Sequence, residues 1–265
     1  MTALAPSLGS AILACALIGR TTGAWAGAWN EPTGSGLMIE TLYCWTGEGA
    51  PWGDGRSVKQ SRVEAQTYAE YGLTDELTVF GKMAIERYAL GPPSSNVYSG
   101  LDYSDFGVRA KFWAGGGWVF SGEAALLVPG AKNPAAPAQE GNTGGAGEAR
   151  LLAGTNFGLG SWPGFVDAEL GYRLRTAGPP DEWHADLTVG LKPSPGYILM
   201  LQDFTVVSIA SSDKNFLAWR SSVIEASVVV PLADRWSLQV GLFTSLVAVR
   251  TNTERGAALS LWRRF

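Results

Sequence analysis

Apolar and polar residues alternate along most of the chain between Gly36 and Phe265. In residues 62–71, for example, the odd positions carry Val, Ala, Thr, Ala and Tyr, while the even positions carry Arg, Glu, Gln, Tyr and Glu. A period of two places the two sets on opposite faces of a β-strand. The pattern therefore predicts strands that have one apolar face and one ionic face.

The alternating segments are separated by breaks of two kinds. Short breaks rich in Gly, Pro and Asp are typical of tight turns. They alternate with mostly longer breaks, of which 131–147 is a loop without periodicity. The predicted strands are 36–46, 61–72, 76–89, 103–114, 118–129, 148–159, 164–175, 183–192, 196–209, 216–230, 235–250 and 256–265. About twelve strands with short turns at one end and long loops at the other are typical of an all-β, antiparallel transmembrane β-barrel.

Aromatic residues concentrate at the predicted strand ends, which favours a membrane barrel over a soluble β-sandwich. A sandwich would bury most of its tryptophans at mid-strand, whereas a barrel places Trp and Tyr in two belts at the headgroup boundaries. The belt predicted at the short-turn end contains Trp29, Tyr71, Trp113, Trp118, Trp162, Tyr197, Trp236, Trp262 and Phe265. The belt predicted at the long-loop end contains Trp45, Tyr88, Tyr103, Trp183, Phe216 and Trp219.

The charged face of each predicted strand is expected to line the lumen. A basic residue facing lipid at the membrane midplane costs about 2–4 kcal/mol, so strand charges are expected to point inward. Acids and bases are mixed on neighbouring strands. The predicted lumen-lining charged residues are Arg62, Glu64, Glu70, Lys82, Glu86, Asp105, Arg109, Lys111, Glu123, Glu148, Arg150, Asp167, Glu169, Arg173, Arg175, Asp186 and Glu225.

The first 26 residues differ from the rest of the chain. Residues 11–19 are apolar, and Ala24-Trp25-Ala26 matches the small-x-small site of a signal peptidase. The sequence therefore predicts a cleaved signal peptide at 1–26 and a single barrel domain at 27–265. Cleavage would leave Cys44 as the one cysteine, which excludes an internal disulfide and a cysteine metal cluster. We expect no cofactor and no metal site.

The charge balance and the hydropathy exclude two further classes of protein. The 265 residues carry a formal net charge of −4, which gives a nucleic-acid partner no electrostatic support. After residue 26, no stretch approaches about 18 uninterrupted apolar residues, so no transmembrane helix is expected there.

The chain ends on the residues Leu-Ser-Leu-Trp-Arg-Arg-Phe, with Phe265 last. This ending resembles the C-terminal recognition signal of bacterial outer-membrane proteins, an aromatic last residue with alternating apolar positions upstream. Arg263 departs from the apolar pattern. The resemblance implies that Phe265 is an assembly signal, with the barrel-assembly machinery as a partner. It also implies a location in the bacterial outer membrane, among membrane lipids and lipopolysaccharide.

Two short motifs point to a narrower group of proteins. The segment Gly27-Ala-Trp-Asn-Glu-Pro-Thr-Gly-Ser-Gly36 resembles the opening of bacterial outer-membrane proteins called XagA-like. The segment Tyr71-Gly-Leu-Thr-Asp-Glu-Leu77 resembles turns of those proteins and of the barrel transporters linked to phenol meta-pathway degradation. The resemblance implies an outer-membrane barrel with a transport role, and it carries no catalytic or ligand-binding residues to this chain.

Two interpretations of the lumen remain open at this stage. In one, the mixed charges form a salt-bridged network that rigidifies a mostly closed interior. In the other, they line a narrow pore or binding cavity for small solutes, with little preference between anions and cations. Residues 197–204 are apolar on both faces, and an apolar stretch of wall would suit a hydrophobic solute. A non-conducting structural or adhesive barrel, with loop 131–147 as its contact surface, is the alternative function.

A lipid-modifying enzyme is a third possibility. His184 is the one histidine, and it shares a strand face with Asp186 near the long-loop rim. However, the sequence contains no G-x-S-x-G nucleophile motif. Asp181 and Glu182 lie at a loop end, where paired acids are usually solvated. We therefore predict no catalytic residues and no enzymatic activity.

Overall fold

The computed structural model describes residues 27–49, 57–92, 97–130, 144–176, 180–209 and 218–265. The predicted signal peptide at 1–26, residues 131–143 of the predicted loop and Phe216 lie outside the described residues. None of the described residues belongs to a helix long and apolar enough to cross a membrane.

The described residues form thirteen strands in one sheet. The strands are β1 (Gly36–Gly49), β2 (Val58–Thr74), β3 (Leu77–Leu90), β4 (Val97–Leu101), β5 (Ser104–Gly115), β6 (Trp118–Val128), β7 (Ala146–Leu159), β8 (Trp162–Arg175), β9 (Glu182–Leu191), β10 (Ile198–Ser208), β11 (Arg220–Ala233), β12 (Trp236–Val249) and β13 (Thr253–Arg264). All pairings between these strands are antiparallel.

The sheet closes on itself between β13 and β1. Beyond their ladder, the Gly36 N–H donates to the Phe265 carbonyl at 2.9 Å, and the Phe265 N–H donates to the Gly36 carbonyl at 3.0 Å. Strands β4 and β5 share the same edge of β3, so they occupy one position in the ring. The structure therefore confirms the predicted all-β antiparallel barrel of twelve strand positions.

Strand β4 lies in a segment that the sequence predicts as a loop, residues 90–102. Its residues pair with Ile85–Ala89 at the long-loop end of β3, and β5 pairs with Leu77–Lys82 further along the same strand. Tyr98 points inward and is buried, and its hydroxyl donates to the Leu101 carbonyl at 2.9 Å. Five residues are too few for alternation to be recognised against a Gly- and Pro-containing loop.

The exterior of the barrel is apolar and the interior is largely ionic. Leu126 and Leu242 are each 68% exposed at outward positions of β6 and β12, while Arg109 and Arg150 are buried at inward positions of β5 and β7. Outward leucines gain their stabilisation from the hydrocarbon of a bilayer, as in membrane barrels. This arrangement excludes the soluble sandwich.

The aromatic belts are less complete than the sequence predicts. Tyr71, Trp113, Trp118, Trp162, Tyr197, Phe265 and Trp183 are exposed on the barrel. Trp45, Tyr88, Tyr103, Trp219 and Trp262 are instead buried in the interior. Each of these five continues the alternation of the inward residues of its own or the adjoining strand. Its side chain therefore points inward, although the residue lies near a membrane boundary. The belt prediction was wrong for these residues because strand parity decides which way a side chain points.

Three strand carboxylates among the described residues, Glu40, Glu48 and Asp203, face the exterior, contrary to the expectation that strand charges point inward. Glu40 is exposed on β1 and accepts a hydrogen bond from Thr67 Oγ1 at 2.8 Å. Asp203 is half-buried at the middle of β10, where it accepts hydrogen bonds from Thr205 Oγ1 at 2.8 Å and Ser222 Oγ at 2.7 Å. Neighbouring hydroxyls replace part of the hydration that these carboxylates lose.

Replacing Asp203 by Asn is expected to raise the free energy of unfolding by about 1 kcal/mol, since an outward charge at mid-strand is unfavourable in a bilayer. The amide oxygen can still accept the hydrogen bonds of Thr205 and Ser222. Urea titration in lipid vesicles measures the change. The matched control is Asp167→Asn, an inward carboxylate that accepts the Ala28 N–H, and this variant should not be stabilised. Loss of stability in Asp203→Asn would contradict the lipid-facing assignment.

Candidate pore interior

The inner wall of the barrel has two chemically different parts. Strands β2 to β9 carry most of the inward charges, which form the ionic wall. Strands β10 to β13 and β1 form the apolar wall, whose buried inward residues include Leu37, Ile39, Tyr43, Ile198, Met200, Phe204, Val206, Val223, Val229, Phe243 and Trp262. The sequence indicates the apolar wall only at 197–204.

Arg62 organises the ionic wall near the long-loop end. Its guanidinium lies 2.5 Å from Glu64, 2.7 Å from Glu86 and 2.6 Å from Asp102. These acids are close enough to one another to hold a metal ion. However, Arg62 is buried against all three and supplies the positive charge that a metal would bring. The cluster is therefore a salt-bridge network, and it gives no support for a cation site.

Arg150 is the centre of a second cluster at mid-wall. It forms ion pairs with Glu148, with Glu169 at 3.0 Å and with Asp186 at 2.5 Å. Arg173 also pairs with Glu148, at 2.5 Å. Strands β7, β8 and β9 bring these side chains together because residues two apart on each strand face the same way.

Glu182 joins this wall, although the sequence interpretation treats it as a solvated loop acid. It is fully buried and lies 2.9 Å from Arg175 and 3.2 Å from His184 Nε2. Its even number places it in phase with His184 and Asp186 on β9, and this phase is the signal that could have identified it. The hydrogen bond described for His184 joins its Nε2 to the Glu182 carboxylate at 3.2 Å.

Arg109 connects the ionic wall to the N-terminal residues. It lies 3.1 Å from Glu70 and 3.3 Å from Glu123, and it donates to the Trp29 carbonyl at 3.3 Å. The Asn30 side-chain amide donates to the Arg109 backbone carbonyl at 3.3 Å. A single buried guanidinium thus holds two wall carboxylates and a segment that does not belong to the wall.

Residues 27–33, here called the N-terminal segment, enter the barrel at the short-turn end, with residues 27–31 inside it and Pro32 and Thr33 exposed. The Ala28 N–H donates to Asp167 at 2.7 Å, and Ser121 Oγ donates to the Ala28 carbonyl at 2.5 Å. The Glu31 N–H donates to Thr78 Oγ1 at 3.0 Å. These bonds reach β8, β6 and β3, so the segment crosses the interior and narrows it.

Trp29 fills space between the walls and does not join a membrane belt. Its ring packs edge-on against Phe165 with centroids 6.2 Å apart. Gly154 on β7 makes room for it, because a Cβ at that position would lie 2.6 Å from the indole ring. The belt prediction for Trp29 was wrong, since residues 27–35 show no alternation from which an inward course could be inferred.

A turn outside the barrel wall fixes the end of the N-terminal segment. Thr33 donates to the Asp75 carboxylate from Oγ1 at 2.7 Å and from its N–H at 3.0 Å. These hydrogen bonds hold the pKa of Asp75 below its ordinary value. Because the pKa is lowered, these hydrogen bonds to Asp75 contribute to the free energy of unfolding at neutral pH. That contribution is lost as the pH falls through the lowered pKa.

The structure brings most of the predicted lumen charges into these clusters but leaves some apart. Lys82 pairs with Asp105 at 2.6 Å, on the ionic wall. Lys111 reaches the Asp75 carbonyl at 2.7 Å at the short-turn end, where it is partly exposed. Glu225 is buried on the apolar wall, where Gln239 donates to it at 3.4 Å.

A cavity of about 370 Å³ opens at the short-turn end of the interior. Its lining includes Trp29 and Glu31 from the N-terminal segment, Phe165 from β8, and the cations Lys192 and Arg264. Arg264 lies 3.4 Å from Glu31. The N-terminal segment thus forms one side of the entrance from this end.

Comparisons with known proteins support the fold. Protein-family models and curated proteins give no match to the sequence. Among solved structures, the chain is similar to the COG4313 outer membrane channel from Pseudomonas putida F1, with 15% identity, a TM-score of 0.69, and coverage of 90% of this chain and 98% of that one.

Two further structures share the fold at a greater distance. The translocator domain of the autotransporter NalP from Neisseria meningitidis has 11% identity and a TM-score of 0.53, over 89% of this chain and 90% of that one. The KdgM porin has 6% identity and a TM-score of 0.53, over 87% and 99%. The chain therefore has the fold of bacterial outer-membrane β-barrels, in agreement with the location that the sequence predicts.

Proposed function

We propose that this protein is a narrow pore for small solutes in the bacterial outer membrane. The observation that carries the proposal is the closed wall around an interior in which an ionic face lies opposite an apolar face. The N-terminal segment narrows this interior without being part of the wall. The COG4313 channel and the KdgM porin, which share the fold, are described as a channel and a porin.

The chemistry of the two walls supports a proposal about which solutes pass. Arginine and carboxylate groups are paired along the ionic wall, so neither ion sign is strongly favoured. Contact with the apolar wall can remove the apolar part of a solute from water without burying a polar group of the solute that lacks a hydrogen-bond partner. Ile198, Met200 and Val229 pack beside Leu37 and Trp262 in one buried cluster on this wall. We therefore propose that solutes with an apolar part and a polar part pass more readily than sugars of the same size.

Planar bilayers and vesicle swelling test this function with the full chain. We expect small conductance steps with little ion selectivity, and faster entry of a monoaromatic alcohol than of a sugar of equal mass in protein-containing vesicles relative to empty ones. An absence of conductance and of solute entry would contradict the pore. That outcome would favour the structural or adhesive barrel, whose proposed surface is the loop at 131–147.

A matched pair of variants on β10 tests the role of the apolar wall. Met200 and Gln202 are both buried at inward positions. Met200→Gln is expected to slow entry of the aromatic alcohol relative to the sugar several-fold, because it places a polar amide in the apolar wall. Gln202→Met is expected to have the opposite effect on the same ratio. Equal ratios in both variants and the parent would contradict a role for the apolar wall.

Phe265 remains our candidate assembly signal. Its side chain is exposed, and its backbone joins the closing pair with Gly36. An exposed last residue on the closing strand is accessible to the barrel-assembly machinery. The narrower resemblance to XagA-like proteins likewise remains a prediction from the sequence.

A further inference from the structure

Two basic side chains lie between two cavities at the short-turn end of the interior. Lys192 follows β9 and Arg264 ends β13, and each continues the inward alternation of its strand. Both residues line the cavity of about 370 Å³ that contains Trp29, and both also line a second cavity of about 200 Å³. The two cavities therefore meet at Lys192 and Arg264, here called the cation pair.

The charged side chains that line these cavities are mostly basic. In the larger cavity, the charged lining residues are Glu31, Lys192 and Arg264. In the smaller cavity, they are Lys192, Asp234, Arg235 and Arg264. Arg264 lies 3.4 Å from Glu31. Even with both acids counted, the lining of each cavity has a net positive charge.

The two members of the cation pair act on each other. Burial, and then the positive charge of Arg264, lower the pKa of Lys192 below its ordinary value. An anion that enters beside both groups offsets this repulsion and favours the charged form of Lys192. The lining therefore favours a negatively charged ligand over a neutral one.

An aromatic surface lies next to the cation pair in the larger cavity. The Phe165 ring centroid is 5.4 Å from Lys192 Nζ, and the ring packs edge-on against Trp29. Gly190 is opposite Phe165 in the β8–β9 ladder and leaves room for the ring, because a Cβ there would collide with it. An apolar group that contacts these two rings is removed from water, which is favourable. The volume of the cavity is within the range of about 300–1,000 Å³ that is typical of small-molecule sites.

We propose that this site binds a small monocarboxylate with a cyclic or branched apolar body. The carboxylate lies between Lys192 and Arg264, because cationic donors form the stronger hydrogen bonds to carboxylate oxygens. The apolar body lies against Trp29 and Phe165, and the nearby Glu31 disfavours a second anionic group in the same cavity. The inference deepens the proposed function and rests on it for the route by which the solute reaches the site.

Calorimetric titration of cyclohexanecarboxylate into the detergent-solubilised full chain tests the site, with the same detergent without protein as the blank. The neutral analogue cyclohexylmethanol is expected to bind about tenfold more weakly, since hydrogen bonds to charged groups contribute more than those between neutral groups. Acetate is also expected to bind more weakly, because it lacks the apolar body. Equal affinities for the acid and the alcohol would overturn the proposal, as would equal affinities for the acid and acetate.

Two substitutions at the site are expected to act in opposite directions. Lys192→Gln should weaken binding of the acid about tenfold, and Lys192→Arg should retain it. Glu31→Gln should strengthen binding several-fold, because it removes the acid from the lining and releases Arg264. Lys111→Gln is the matched control, since Lys111 also lies at the short-turn end but lines neither cavity. Unchanged affinity in Lys192→Gln, or lower affinity in Glu31→Gln, would contradict the proposed site.

Heat-modified mobility on gels shows whether each variant is folded. If Lys192→Gln does not fold, the comparison of acid, alcohol and acetate on the parent decides the question without a variant.

Calorimetry separates this site from the proposed pore. Binding of cyclohexanecarboxylate to a chain that does not conduct in bilayers would retain the site and reject the pore. Conductance without binding of the acid would retain the pore and reject the site. In conducting channels, the acid is expected to reduce the current at lower concentrations in the parent than in Lys192→Gln.

Discussion

A chain that lacks residues 27–33 is expected to conduct several-fold more current than the chain that begins at Gly27. The removed segment crosses the interior through bonds to Asp167, Ser121 and Thr78, and its carbonyl at Trp29 accepts from Arg109. Its loss widens the narrow end without changing the residues of the wall. Single-channel recording in planar bilayers measures the difference, after refolding of both chains without residues 1–26.

A point substitution tests the same idea with the N-terminal segment still present. Gly154→Val places a side chain where the Trp29 ring lies, 2.6 Å from the Cβ position. The ring must move, and we expect a smaller rise in conductance, or current that fluctuates between two levels. Gly158→Val on the same strand is the control, because a Cβ there meets open space. Identical conductance of the full and shortened chains would show that the segment does not limit passage.

Arg150→Met is expected to lower the free energy of unfolding by about 3–5 kcal/mol, the range for breaking a buried ion pair by removing one partner. The thioether replaces the stem of the side chain but none of its charge. Glu169 and Asp186 then lose the guanidinium that lies 3.0 and 2.5 Å away. Urea titration of the refolded barrel in vesicles measures the change.

The comparison for this substitution is Arg263→Met, which removes an exposed arginine from the exterior. Exposed substitutions usually change stability by less than about 0.5 kcal/mol, so the two variants should differ clearly. Adding Glu169→Gln to Arg150→Met should recover part of the loss, because it removes one of the uncompensated charges. If Arg150→Met were as stable as the control, the clusters would be hydrated pore charges and not a rigid network.

The barrel itself is largely predictable from particular stretches of sequence. The alternation in residues 62–71 places Val63 on the exterior and Arg62 in the interior, as the structure shows. The run from Leu259 to Phe265 correctly indicates a closing strand, because a period of two persists to the last residue. Strand β4 is not predicted, because a strand of five residues provides too little alternation to be recognised.

The interior is predictable only in part. The inward direction of Arg62, Arg109 and Arg150 follows from strand parity, but their partners depend on the stagger between strands. The ion pair between Arg62 and Asp102 joins β2 to the residue just after β4, and the local sequence pattern does not predict this contact. The same limit applies to Glu182, whose burial depends on Arg175 across the β8–β9 connection.

The amino-acid sequence by itself determines that this chain forms a barrel with an apolar exterior, because alternation is a local property that every strand expresses independently. Only the tertiary structure decides that the interior is divided into an ionic and an apolar wall and that residues 27–33 cross it. Those features depend on which strands become neighbours when the sheet closes and on contacts between residues far apart in the chain, such as Ala28 and Asp167. The alternation along the sequence predicts whether each side chain points into or out of the barrel. It does not predict which side chains it contacts across the lumen.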